Sequence, residues 1–324
     1  MSEYALVGDI GGTNARLALV RPGSVELESI RTLACADYAN LDEACLAYLA
    51  EVGVAAVDRA CLAFACPVQG EQIRMTNNHW AFSRTEMQQR LGLEQFRLLN
   101  DFTAMALGML HVRDDELVAV GGGESLAGSP RLVIGPGTGL GVSALVPAGS
   151  DWVPLSTEGG HVSFAPTDEV EVAVWRQLRE QFGRVSVERI LCGQGLVNLY
   201  RALAGYRALP AQFSEPAEIT TAGLAGDALA RETLSRFCRI LGEQAGDAVL
   251  TIGARGGVYL CGGILPRIRD FFLASAFREG FEAKGRFVDY LRSVPVWLCT
   301  ADYPGLLGAA AGLDNPLAGS HKRS

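Results

Sequence analysis

The chain has 324 residues, of which 49% are hydrophobic and 20% are charged, so it is long enough for two domains with sizeable cores. Lysine and arginine number 28 against 36 aspartates and glutamates, which gives a net charge of −8. This acidic balance argues against nucleic acid or an anionic membrane as a partner, because no basic patch offsets it. Eight cysteines without a CxxC pair, and no secretory leader, predict reduced thiols in a cytoplasmic protein.

The first half of the chain predicts a hairpin followed by alternating helices and strands. We expect the hairpin at 4–8 and 15–20, a helix at 40–52, a strand at 59–65, a helix from a capping box at Ser83 and Glu86, a strand ending at Asn100, and a helix through 105 and 110.

The second half begins with a charge-free stretch, residues 132–150, whose five glycines and two prolines predict strand, turn and strand rather than a membrane span. Helices are then expected at 168–182, 188–204 and 222–253, a strand and Gly-Gly turn in GGVYLCGGILPR (256–267), and a small-residue helix in DYPGLLGAAAGL (302–313). LVIGPGTGLGVSALV (132–146) aligns without gaps on LVGDIGGTNARLALV (6–20), which fits either an internal duplication or chance agreement between two apolar segments.

Glycine turns that follow strands are candidate phosphate loops, although Gly11-Gly12-Thr13-Asn14 alone equally predicts an ordinary hairpin turn. The chain has no Gly-Lys pair for a Walker A loop and no GxGxxG spacing, and its only lysines are Lys284 and Lys322. What remains is phosphate held by backbone N–H groups of strand–glycine–strand hairpins. A carboxylate at Asp9 would then hold Mg²⁺, directly or through water.

Several polar residues form a second candidate set. Asn100 and Asp101 stand where a strand ends and a helix begins, so they predict either a helix N-cap or a catalytic pair. Glu158 and His161 flank a Gly-Gly turn, which fits a solvated loop or contacts to sugar hydroxyls but has too few ligands for zinc. Glu188 lies near an expected helix start, where negative charge is favoured in any case.

Taken in order, DIGGTNARLAL, LLNDFTAMALG, GPGTGLG, STEGGH and VYLCGGI resemble the motifs of the bacterial glucokinase family, within the superfamily of sugar kinases, actin and heat-shock chaperones. The resemblance implies two ribonuclease-H-like (actin-like ATPase) α/β domains flanking an interdomain cleft. The smaller domain would hold residues 1–110 with 302–324, and the larger would hold 111–301. The resemblance also implies a homodimer.

The same resemblance implies ATP-dependent phosphorylation of glucose to glucose 6-phosphate, which feeds glycolysis, with Asp101 as the general base. It assigns the sugar to Asn100, Asp101, Gly139, Glu158, His161 and Glu188. It assigns ATP to Gly8, Asp9, Ile10, Gly11, Gly12, Thr13, Asn14, Gly137, Thr138, Gly262 and Gly263, with Mg²⁺ at Asp9.

Three alternatives stay open at this point. A kinase for mannose or fructose would use the same chemistry; VSFAPTDE after His161 lacks the Cys-rich zinc motif of one related family and favours the non-zinc glucokinases. A sugar-responsive repressor would need a helix-turn-helix ahead of the first loop, and Asp9 lies too near Met1 for one. An actin-like ATPase without a sugar substrate would leave the polar set without a purpose.

Overall fold

The computed structural model describes residues 2–318, which contain thirteen strands and eleven α-helices. The strands are β1 (Ala5–Ile10), β2 (Asn14–Val20), β3 (Glu28–Ala34), β4 (Arg59–Phe64), β5 (Gln72–Arg74), β6 (Ala81–Ser83), β7 (Gln95–Asn100), β8 (Leu117–Gly121), β9 (Arg131–Pro136), β10 (Leu140–Ala148), β11 (Asp151–Ser156), β12 (Val258–Leu260) and β13 (Val296–Cys299). The helices are α1 (Leu41–Glu51), α2 (Arg84–Arg90), α3 (Asp101–Gly108), α4 (Glu169–Phe182), α5 (Gly193–Arg207), α6 (Pro216–Ala225), α7 (Ala228–Ile252), α8 (Arg269–Leu273), α9 (Phe277–Glu282), α10 (Val288–Arg292) and α11 (Pro304–Asp314).

The chain divides into two compact units. Of the described residues, the first unit contains 2–116, 144–156 and 301–318, and the second contains 117–143 and 157–300. The boundary between the units falls within β10. The sequence-based domain ranges start at residue 1 and end at 324, so residue 1 and residues 319–324 of those ranges lie outside the described part of the chain.

The sheet of the first unit has the strand order β3-β2-β1-β4-β7. Strands β1 and β2 form the predicted antiparallel hairpin, while β1, β4 and β7 run parallel. The apolar run of β4 is buried along almost its whole length, as expected for a central strand covered on both faces. The carboxyl ends of β1 and β7 therefore lie at one edge of this sheet, and that edge carries the polar residues of the first unit.

Helix α11 packs against α3 and against strands β1 and β4. The backbones of α11 and α3 approach so closely that a methyl group on Gly308 would overlap the carbonyl oxygen of Ala104. A methyl group on Gly108 would overlap the carbonyl oxygen of Pro304 in the same way. Glycine is required here because its missing Cβ leaves room for a neighbouring backbone.

The second sheet has six strands in the order β11-β10-β9-β12-β13-β8. Strand β12 is parallel to β9 and β13, and β8 is antiparallel to β13. The core of the second unit forms where α4, α5 and α7 pack against this sheet through residues such as Leu178, Leu199 and Phe237. The strand–turn–strand prediction for residues 132–150 is confirmed by β9 and β10.

The predicted helix at 188–204 is wrong at its start. Residues Val187–Arg189 form a 3₁₀ turn, and α5 begins at Gly193. The thiol of Cys192 accepts a hydrogen bond from the Gly195 N–H and caps the helix. Glu188 therefore lies on a turn before the helix and not on the helix itself.

The predicted helix at 222–253 is also wrong, because it consists of two helices. Helix α6 ends at Ala225, and the Gly226 that caps it has a φ of +103°, in the left-handed region. Asp227 then caps α7 by accepting a hydrogen bond from the Ala230 N–H. None of the helices within residues 2–318 is long and apolar enough to cross a lipid bilayer.

Candidate active site

The first glycine turn connects β1 to β2. The Gly11 N–H donates to the Asn14 carbonyl at 2.9 Å, which closes the turn. A Cβ on Gly12 would lie 2.9 Å from Cβ of Asn77, so the turn packs closely on the loop that contains Asn77. Gly8 and Ile10 are buried in the core, which leaves only their backbone atoms for contact with a ligand.

Asp9 lies directly opposite Arg16 in the β1–β2 register. The Asp9 Oδ2 atom is 3.3 Å from Arg16 Nη1, and the side chain of Asp9 is only 25% exposed. Burial raises the pKa of the Asp9 carboxyl, and the Arg16 guanidinium opposes that rise. A Cβ on Gly305 would lie 3.2 Å from Asp9 Cγ, so the N-terminal turn of α11 also adjoins this carboxylate.

Arg16 is a further candidate residue of the first turn. The predicted hairpin already implies its position, because residues at equal distance from a two-strand turn face each other. Arg16 places a positive charge beside the first glycine turn.

The donor set at Asp9 fits Mg²⁺. Within residues 2–318, no group of three or more His, Cys, Asp or Glu side chains is arranged to hold a metal ion. Mg²⁺ needs no such group, since it keeps several water ligands and binds through one or two carboxylates together with substrate phosphates. A single partly buried carboxylate beside a glycine turn meets that requirement.

Asn100 and Asp101 lie at the junction of β7 and α3. The Asn100 Oδ1 atom accepts hydrogen bonds from the N–H groups of Phe102 and Thr103 at 3.0 and 3.2 Å, so the N-cap interpretation of Asn100 is confirmed. The Asp101 Oδ1 atom accepts from the Phe102 N–H at 2.8 Å, which orients its carboxylate at the helix N-terminus. Burial, together with the charge of Asp101, raises the pKa of the neighbouring Cys66 thiol to about 11.

The second glycine turn, Gly137 to Gly139, connects β9 to β10. The Gly137 N–H donates to the Gly139 carbonyl at 2.8 Å, and the Gly193 N–H donates to the Gly137 carbonyl at 2.9 Å. The Leu140 N–H donates to Glu188 Oε2 at 2.9 Å. The N-terminus of α5 and the 3₁₀ turn before it therefore hold this glycine turn from one side.

Glu158 directly precedes a 3₁₀ turn, Gly159–His161, that ends at His161 and packs on β10. A Cβ on Gly159 would lie 2.8 Å from Val142, and one on Gly160 would overlap the Leu140 carbonyl. Both polar side chains are exposed, and His161 Nδ1 lies 3.7 Å from Glu188 Oε1.

Gly262 and Gly263 follow β12 and lie beside the end of β9. Gly262 has a φ of +88°, and a Cβ there would meet the backbone of Pro136. A Cβ on Gly263 would meet no atom within 4 Å. The carboxyl ends of parallel β9 and β12 therefore bring two glycine turns together, which is where ligands bind in open α/β sheets.

Two units of mixed sheet and helix, each with a glycine hairpin at a strand end, define a protein of the actin-like ATPase class that includes the sugar kinases. The glucokinase family model matches residues 6–316. The chain belongs to the glucokinase family.

Individual relatives support the same assignment. A glucokinase from Hahella chejuensis is 60% identical to this chain and covers 97% of it, and the match spans 98% of that protein. The crystal structure of a glucokinase from an Antarctic psychrotroph is 37% identical, covers 97% of this chain and 100% of its own, and superposes with a TM-score of 0.89. A glucokinase of the ROK family from Streptomyces griseus, solved in complex with glucose and AMPPNP, shares the fold with a TM-score of 0.61 at 18% identity, covering 95% of this chain and 98% of its own.

Proposed function

We propose that this chain transfers the γ-phosphoryl group of ATP to the 6-hydroxyl of glucose, forming ADP and glucose 6-phosphate for glycolysis. The observation that carries the proposal is that Glu188, His161 and the second glycine turn lie next to one another within the second unit. A carboxylate and an imidazole suited to sugar hydroxyls there adjoin a turn suited to phosphate. An actin-like ATPase without a sugar substrate would have no use for that combination.

Asp101 acts as the general base. Its carboxylate takes the proton from the 6-hydroxyl as the oxygen attacks the γ-phosphorus, which is the one proton transfer that phosphoryl transfer requires of the protein. The hydrogen bond from the Phe102 N–H to Oδ1 fixes the carboxylate for that step. Asn100 binds the same sugar while its Oδ1 atom caps α3.

Glu158, His161, Glu188 and the backbone of Gly139 bind the remaining hydroxyls of glucose. A site that hydrogen-bonds each hydroxyl discriminates strongly, because a sugar that lacks one leaves a polar group of the protein unpaired. This set favours phosphoryl transfer to a sugar over hydrolysis of ATP by water. Mannose and fructose remain the alternative substrates to glucose.

The nucleotide binds the glycine turns. The ATP contacts are assigned to Gly8, Asp9, Ile10, Gly11, Gly12, Thr13, Asn14, Gly137, Thr138, Gly262 and Gly263. Bound at Asp9, directly or through water, Mg²⁺ would supply positive charge against the phosphates. Arg16 orients Asp9 and adds a second positive charge at the first turn.

We further propose that the protein is a cytoplasmic homodimer. The cytoplasm supplies ATP and keeps thiols reduced, and no disulfide joins the eight cysteines, all of which fall within the described residues. Light scattering on the purified protein tests the dimer.

The test of the function is a sugar panel with ATP and Mg²⁺, following ADP release from the wild type and from Asp101→Asn. Glucose should give the fastest turnover, and the variant should lose about 10² to 10⁴-fold in kcat. Glu169→Gln is the matched control, because it also removes an acidic charge from the first residue of a helix, α4. ADP release that ignores every sugar would contradict the kinase and leave an ATPase, whereas faster turnover with mannose or fructose would change only the substrate.

A further inference from the structure

The two oxygens of the Glu188 carboxylate face two different parts of the second unit. Oε2 accepts the hydrogen bond from the Leu140 N–H at 2.9 Å, and Oε1 lies 3.7 Å from His161 Nδ1. We propose that Glu188 couples the binding of glucose to the binding of ATP, and that buried Asn198 is the positioning residue that holds Glu188 in place for this task. The inference rests on the proposed function, since it takes His161 and Glu188 as sugar ligands and the second glycine turn as a phosphate ligand.

The bond from Leu140 to Glu188 controls the shape of the glycine turn. Leu140 is the first residue of β10, directly after Gly139. Because the Gly137 N–H is bonded to the Gly139 carbonyl, the three residues of the turn move together. Only 29% of the Glu188 side chain is exposed, so its charge-assisted bond is screened less by water than a surface contact would be.

The fit between Glu188 and the turn leaves no spare room. A Cβ on Gly139 would lie 2.6 Å from Glu188 Oε2, so the carboxylate occupies the space that a side chain would need. A shift of Glu188 therefore shifts the turn, and a shift of the turn displaces the carboxylate. Both groups belong to the second unit.

Asn198 determines where Glu188 stands. This residue of α5 is only 5% exposed, and its Nδ2 atom donates to the carbonyl oxygen of Arg189 at 2.9 Å. Arg189 follows Glu188 on the 3₁₀ turn, whose Arg189 N–H also donates to the Ser186 carbonyl at 3.0 Å. A buried amide that donates to the carbonyl beside a ligand residue fixes the backbone from which that ligand projects.

These contacts make the two binding events interdependent. Sugar hydroxyls on Glu188 and His161 would fix the carboxylate, and the fixed carboxylate would hold Leu140 and the turn in the conformation that receives phosphate. By linkage, a nucleotide on the turn must raise the affinity for glucose by the same factor. Asn198 contributes through Glu188 and contacts neither ligand in this scheme.

The test is calorimetric titration of glucose in the absence and presence of saturating AMPPNP with Mg²⁺. In the wild type, the nucleotide analogue should lower the Kd for glucose by roughly fivefold or more, within the usual range of coupling. In Asn198→Asp, two acceptors face each other at the Arg189 carbonyl, so the coupling factor should fall to about one. Steady-state kinetics should show a raised KM for glucose at saturating ATP, little change in that KM at low ATP, and kcat much less affected.

Gln177→Glu is the matched control. Gln177 also donates from a side-chain amide to a backbone carbonyl of α5, that of Ala202, at 3.0 Å, but this bond has no link to Glu188. The control should keep the coupling factor of the wild type. Asn198→Ala, which removes the amide without adding a charge, provides the measurement if the aspartate variant does not fold.

The outcomes separate this inference from the proposed function. A wild type that binds and phosphorylates glucose, but with an affinity indifferent to AMPPNP, would overturn the coupling and leave the function standing. Full coupling in a folded Asn198 variant would overturn the role of Asn198. A wild type that neither binds nor phosphorylates glucose would overturn the proposed function, and the inference with it.

Discussion

Gly308 of α11 and Ala104 of α3 approach so closely that a methyl group on Gly308 would overlap the Ala104 carbonyl oxygen. The contact matters beyond packing, because α3 begins with Asp101, the proposed base, and the N-terminal turn of α11 adjoins Asp9. One helix pair thus sets the positions of both carboxylates of the first unit.

Gly308→Ala should therefore lower both the stability of the protein and its rate of phosphoryl transfer. The new methyl group must push α11 away from a backbone atom, and overpacking of this kind costs about 1–3 kcal/mol. We expect a lower midpoint of thermal unfolding and a lower kcat, measured by circular dichroism and ADP release. Gly205→Ala is the control, since the methyl group on that helical glycine meets only the side-chain end of Gln177. Equal midpoints for the two variants would contradict the prediction.

Arg16→Gln should weaken the use of ATP. The change removes the guanidinium 3.3 Å from Asp9 and with it the positive charge beside the first glycine turn. We expect the KM for ATP to rise roughly tenfold, as for the loss of one charge-assisted contact of about 1.5 kcal/mol, while the KM for glucose changes little. Arg31→Gln provides the comparison, because Arg31 is also a strand arginine paired with a carboxylate, Glu51, at 2.6 Å. An unchanged KM for ATP would show that Arg16 serves only the hairpin.

Glu188→Gln should separate the two tasks of that side chain. The amide oxygen of glutamine still accepts from the Leu140 N–H, but the charge that receives sugar hydroxyls is gone. The KM for glucose should rise about tenfold or more, with a smaller change in the KM for ATP. A variant with the wild-type KM for glucose would exclude Glu188 from the sugar site.

Glu243→Gln should change how stability depends on pH. Glu243 is only 5% exposed, and burial and then the charge of Glu171 raise the pKa of its carboxyl above the ordinary value of 4.5, while Thr167 and Arg239 oppose the rise. The folded state then binds more protons than the unfolded state above pH 4.5, so this carboxyl favours folding at low pH and loses that contribution as pH rises.

Glutamine stays neutral at every pH, so its contribution to the stability of the folded state does not change as pH rises. The unfolding midpoint of Glu243→Gln minus that of the wild type should therefore increase from pH 4 to pH 8. Differential scanning calorimetry at several pH values measures it. A difference that stays constant with pH would mean that Arg239, 3.1 Å from Glu243, keeps the carboxylate ionised throughout.

The sequence predicted the parts of the fold and site that depend on local pattern. Alternation of apolar residues marked the β1–β2 hairpin, and the strand-to-helix junction placed Asn100 and Asp101 correctly. The start of α5 was missed because an acidic residue near a helix start looks like part of the first turn. The actual cap, Cys192, is not one of the residues that ordinarily cap helices.

The features of the site that the sequence does not predict depend on contacts between residues far apart in the chain. Asn198 lies between apolar residues of α5, and nothing in these neighbours shows that its amide reaches the Arg189 carbonyl. The closeness of Glu188 to Leu140 likewise depends on how a 3₁₀ turn packs against a hairpin 48 residues away. The break between α6 and α7 has a local signal, since Gly226 and Asp227 are ordinary stop and start residues for helices.

Helix α11 also has a consequence for the order in which the protein is made. Residues 304–314 leave the ribosome late, yet they cover β1 and α3, which leave it early. All residues of the second unit, 117–143 and 157–300, precede α11 in the chain, so this unit can fold before α11 is available to the first unit. The first unit cannot complete its core until α11 is available, so Asp9 and Asp101 reach their final positions last. A chain that stops before Pro304 contains the glycine turns but lacks a complete first unit.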